Sequence, residues 1–158
     1  MKIKYTKIQI ALEIITILLL LTMLLNLNLS WSNVADKIPG HYNAAGQVDR
    51  WGHKSELLFV PIMSAVLYVL VTVIGFFPAL WNVPMAITEQ NRNKLYNCMR
   101  DMICVLKLEM VLTFLYISYE SIKVKQLSPY FTLISLGGIA VTITYFIVRM
   151  YQISKIKA

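Results

Sequence analysis

Residues 8–29 read IQIALEIITILLLLTMLLNLNL, twenty-two positions with one charge, Glu13. A helix of about 20 apolar residues crosses a hydrocarbon core of about 30 Å. In lipid the backbone amides find no water, so a segment of this kind satisfies them internally as a helix. Lys2, Lys4 and Lys7 precede the run, which raises the alternative of a cleaved leader. The run is longer than the usual 7–15 residue leader core, and Asn26–Ser32 holds no small-x-small cleavage pattern. A retained transmembrane helix is therefore expected.

Three further runs repeat the pattern. The second covers about 57–80, with Pro61 near its start, where a missing amide costs little, and Pro78 and Pro84 as stop signals. The third covers 102–122 and holds Lys107 and Glu109. The fourth covers about 129–150, opened by Pro129 and closed by Arg149. The expected fold is an all-α integral membrane protein: one domain over 1–158, a four-transmembrane-helix bundle with a structured outer loop at 31–56 and a cytoplasmic loop at 81–101.

Composition agrees. Of 158 residues 58% are hydrophobic and 15% charged, against about 25% charged in soluble domains. The net charge of +7 fits loop positives that fix orientation better than a nucleic-acid surface, and no nucleic-acid partner is expected. Nine Lys and Arg fall at the two ends and in the second loop, including Arg92, Lys94 and Arg100; five fall in the first and third loops. Both termini are thus expected in the cytoplasm and the first loop outside, in the plasma membrane. Trp31 and Trp51 would mark the outer interface and Trp81 the inner one. Cys98 and Cys104 are too few for a disulfide framework and read as plain thiols.

Charges inside a bilayer cost about 2.5–3.5 kcal/mol on insertion scales and mark functional candidates. Glu13, Lys107 and Glu109 fall at similar depth, with Lys107 and Glu109 on different faces of one helix. Each either snorkels to the interface, or Glu13 pairs with Lys107 across the bundle, or the set relays protons or ions. Ser135, Gly137, Gly138 and Ala140 in the fourth span suggest close helix packing. Met110, Phe114, Tyr116 and Tyr119 read as bundle filler.

The first loop differs from the rest. Residues 38–54 read IPGHYNAAGQVDRWGHK, polar, aromatic and rich in turn formers. A loop of this length is functional or disordered, and its aromatics argue for a folded one resting on the membrane face. Asp49 and Arg50 are placed to pair. His41, Asp49 and His53 are the conceivable metal ligands, but the spacing H-x7-D-x3-H matches no compact site, so no metal and no cofactor are expected. No nucleophile–base arrangement, phosphate loop or HExxH is present, and no catalysis is expected. His41, Asn43, Asp49 and Lys54 could also simply satisfy one another and the turn amides.

This run, followed by a second span that opens LLFVP, resembles the signature of an uncharacterised bacterial membrane domain found at the N-terminus of Sdp-type toxin immunity proteins. The matching positions are Ile38, Pro39, His41, Asn43, Gly46, Asp49, Trp51, Gly52, Lys54 and Pro61. Gly52-His53-Lys54 stands where the family more usually has Gly-Ser-Lys, and the better-known relatives carry further helices beyond four spans. The resemblance implies protection against an extracellular toxic or antimicrobial peptide, with a cytoplasmic repressor held at the membrane. The residues leave a second class open: a structural or regulatory accessory subunit of a membrane transport complex, with a membrane partner protein. A small ion or proton transporter using Glu13 and Lys107 is a third.

Overall fold

The computed structural model describes residues 4–155; Lys2 and Lys157, counted above for orientation, lie outside the described residues. Helix α1, Lys7–Ser30, starts at a reciprocal cap. The Gln9 amide donates to Thr6 Oγ1 at 3.2 Å, and the Thr6 amide donates to Gln9 Oε1 at 3.0 Å. This closes two of the amides that every helix start leaves open.

The chain then turns through residues 31–33 into a β-hairpin, β1 (Lys37–Tyr42) and β2 (Val48–His53). The register pairs Lys37 with His53 and Pro39 with Trp51, then slips around Gly40 so that His41 faces Arg50. The hairpin is an addition to the expected all-α fold. A short 3₁₀ turn over residues 54–58 leads into α2, Phe59–Gly75.

Helix α2 ends five residues before the expected Leu80. The Pro78 ring would clash with the carbonyl one turn earlier and forces the preceding residue out of helical geometry. Phe77 sits at φ −115° and ψ 74°, and residues 78–80 form a separate 3₁₀ turn. Helix α3, Arg92–Ile122, begins ten residues before the expected Met102. Leu95, Cys98, Met99 and Met102 recur at helical spacing and pack with Met150 of α4, Phe131–Ser154. The second half of the expected cytoplasmic loop is therefore helix.

Among the described residues four helices are long and apolar enough to cross a membrane, and the chain is a multi-pass membrane protein. Three buried clusters stack along the bundle. Leu27, Val34, Ile38 and Leu57 lie under the hairpin with Ile122 and Val124. Leu20, Met23 and Val111 hold the middle, with Met110 and Phe114 against them. Leu95, Cys98 and Met150 hold the end nearer the termini. The hairpin and the α3–α4 loop share one end of the molecule; the start of α1, the end of α4 and residues 76–91 share the other.

Several side chains depart from expectation. Trp81 is not an interface anchor: it is buried, donates to the Ile74 carbonyl at 2.9 Å, and lies beside Arg100. Arg100 is no loop residue. The early start of α3 carries it into the bundle, with its guanidinium 4.4 Å from the centre of the Tyr5 ring. Tyr119 is exposed and bonded to Lys123 rather than filling the bundle. The two glycines of α4 are not points of close helix approach. A side chain at Gly137 would meet nothing within 4 Å, and one at Gly138 would meet only Glu109.

Candidate ligand groove and buried charge network

The hairpin is held by its motif residues. The Asn43 side-chain carbonyl accepts from the amides of Ala45 and Gln47, each at 3.0 Å. Gly46 then takes φ +77°, a conformation that suits glycine alone at low cost. A Cβ there would stand 2.8 Å from the Leu127 carbonyl oxygen and 2.9 Å from that of Ser128. The Leu127 amide in turn donates to the Gly46 carbonyl at 2.9 Å. Gly46 thus fastens the hairpin tip to the α3–α4 loop by close backbone contact.

Asp49 and Arg50 do not pair with each other. Successive strand residues point to opposite faces, and each finds a partner on its own face. Asp49 Oδ1 lies 2.6 Å from His41 Nδ1. Arg50 Nη2 donates to the Gly40 carbonyl at 2.7 Å and to Glu56 Oε2 at 2.8 Å. The Glu56 carboxylate occupies the space a side chain at Gly52 would need. Lys54 reaches Asp36 at 3.2 Å and lies over the Trp31 ring. Trp51 is 47% exposed, with the Lys37 ammonium 5.7 Å from its ring centre. Ile38, Pro39 and Pro61 are buried.

Beneath the hairpin lies a groove of about 630 Å³, within the range of small-molecule and peptide side-chain pockets. Its floor is apolar: Ile38, Leu57, Val60, Ile117, Leu127 and Phe131. Its rim carries His41, Asn43, Arg50 and Glu56. The Tyr42 hydroxyl donates to the Lys125 carbonyl at 3.0 Å and lies 3.1 Å from Ser121 Oγ. Burial pushes the Tyr42 phenol above its ordinary range, so it remains a donor.

The structure therefore divides the expected site. Pro39, His41 and Asn43 line the groove; Gly46, Asp49, Trp51, Gly52, Lys54 and Pro61 do not. Arg50, Glu56 and the wall from α3 and α4 were not legible as site residues, because their approach depends on the hairpin folding back over the helix ends. The metal ligands considered above do not converge. His41 meets Asp49, while His53 sits at the far end of the hairpin beside Ser55.

A second cluster lies inside the bundle. Glu13 and Lys107 form an ion pair, with side chains 16% and 2% exposed. Tyr68 donates to Glu13 Oε2 at 2.7 Å, Lys107 donates to Thr72 Oγ1 at 3.0 Å, and Cys104 Sγ lies 3.4 Å from Glu13 Oε1. The bundle adopts the pair rather than snorkelling, and the pair ties α1, α2 and α3 together. Glu109 faces α4, where Thr142 donates to its Oε1 at 2.6 Å; Lys107 and Glu109 do occupy different faces.

Residues 17–65 match the family model of a domain of unknown function, DUF1648. The match runs from mid-α1 through the hairpin to the first turns of α2 and contains all ten motif positions. No curated protein and no solved structure matches the chain.

Proposed function

We propose that this chain is a bacterial plasma-membrane protein that captures an extracellular amphipathic peptide beneath its hairpin and so shields the cell from it. The groove carries the reading: an apolar floor with a polar, ion-paired rim, at the end of the bundle expected to face outward. An amphipathic helix or strand buries its apolar face in such a groove and leaves polar groups to the rim. The matched domain builds the hairpin and supplies one wall. Exposed Lys4, Lys7, Arg92, Lys94, Arg149 and Lys155 gather at the opposite end, which favours cytoplasmic termini and leaves a basic face for a cytoplasmic regulator.

The test is expression in a sensitive strain challenged with a panel of amphipathic antimicrobial peptides. Wild type should raise survival against at least one, and Val60→Trp, which fills the groove, should remove that gain at equal membrane levels. Equal protection by the filled variant, or no protection by inserted wild type, would refute the reading.

A second reading rests on α4. None of its most apolar stretch is buried, which leaves a face for a membrane partner in an accessory role. Stoichiometric co-purification in mild detergent would favour it over the first.

A further inference from the structure

A separate groove of about 500 Å³ runs between α3 and α4. On α3 it is lined by Glu109, Leu112, Thr113 and Tyr116, spaced so as to share one helix face. On α4 it is lined by Phe131, Ile134, Ser135 and Gly138. Glu109 is the only carboxylate or cation among the lining residues. Its Oε1 is bonded to Thr142, while Oε2 is buried without a hydrogen-bond partner among the described residues.

Depth makes this oxygen costly. Thr142 lies eleven residues into α4, about 16 Å along the axis at 1.5 Å per residue, close to the middle of a core about 30 Å thick. A carboxylate there needs a second donor. The carboxylate torsion is soft, so either oxygen can turn to the groove while the other keeps Thr142. About 10 Å along α3, seven residues on, Tyr116 and Phe131 stack at a centroid distance of 5.2 Å and close the groove with aromatic surface. A carboxylate at the head of an apolar trough suits one chemistry, an alkylammonium, with the cation paired to the carboxylate and the aromatic wall meeting the hydrocarbon end.

We propose that the α3–α4 groove binds a lipophilic molecule bearing a protonated amine, entering from the bilayer, with the ammonium on Glu109 and the hydrocarbon body along Leu112 and Ile134.

The test uses the full chain in phosphatidylcholine nanodiscs and radiolabelled dodecylamine, with empty discs subtracted. Saturable binding is expected. Glu109→Gln should weaken it by about tenfold or more, the value of a hydrogen bond to a charged group. Gly138→Leu should abolish it by filling the trough, and 1-dodecanol should compete at least about tenfold less well than unlabelled dodecylamine. The dodecanol comparison needs no variant and stands even if a substitution fails to fold. No saturable binding, equal competition by the alcohol, or unchanged affinity in either folded variant would overturn the proposal.

Discussion

Lys107→Met tests the buried ion pair. The lysine side chain is 2% exposed and the partner Glu13 16%, so removing the ammonium strands a carboxylate among Tyr68, Cys104 and apolar neighbours. Breaking a buried pair costs about 3–5 kcal/mol. An independent ceiling comes from protonation. Neutralising a carboxyl of ordinary pKa about 4.3 at pH 7 costs about 3.7 kcal/mol, and the variant pays no more than that before it takes up a proton. Glu13→Gln strands the lysine instead, at a similar cost of about 3–5 kcal/mol. The double variant leaves no charge, and the new side-chain amide still offers Tyr68 an acceptor, so its cost falls to about 1 kcal/mol. At about 2–4 °C per kcal/mol, each single variant should lose about 10 °C of melting temperature and the double under about 5 °C. Cys98 and Cys104 are both free and buried, so a thiol-reactive fluorophore reports unfolding of detergent-solubilised protein directly. Additive single losses in the double variant, or single variants that melt with wild type, would refute the pairing argument.

Gly46→Ala should detach the hairpin tip, since it pairs a left-handed backbone with contact at 2.8 Å to Leu127; a cost of about 2 kcal/mol or more should appear as faster proteolysis between Tyr42 and Val48. Tyr42 is a weak acid whose pKa is raised in the fold, so its contribution is present below about pH 10 and fades as pH rises beyond that; Tyr42→Phe should remove this alkaline loss and cost about 1 kcal/mol at neutral pH. A cysteine at Lys37 should react with an impermeant maleimide on intact cells and one at Lys94 should not, against a low background from the two buried native thiols; the opposite pattern would invert the orientation.

The spans were legible because hydropathy in lipid is a strong one-dimensional signal: α1 and α4 begin and end within a few residues of expectation. The first ten residues of α3 were not, because Arg92, Lys94, Arg100 and Asp101 dilute a stripe of Leu95, Cys98 and Met102 that only periodicity reveals. The hairpin was hidden by its own sequence. Pro39 and Gly40 demote a strand on any propensity argument, and β1 tolerates both because it is a two-stranded ribbon with a slip in register at that point. Arg50 was assigned to its chain neighbour Asp49, whereas its partner Glu56 comes into reach only through the turn after β2.

The motif separates by what each residue touches. Ile38 fills the cluster under the hairpin, Pro39 is buried opposite Trp51, Asn43 and Gly46 build and dock the tip, Gly52 leaves room for Glu56, Lys54 holds Asp36, and Pro61 is buried at the start of α2. Folding alone accounts for these. His41 with Asp49, and Trp51, remain: all three are exposed, where a bare ion pair contributes little to stability and a large aromatic leaves apolar surface in contact with solvent or lipid. Substitutions at these positions should spare the fold; His41 alone of the three lines the groove, so a loss of protection there reports recognition, Trp51 variants should protect like wild type, and a loss at Gly46 or Gly52 reports a displaced hairpin.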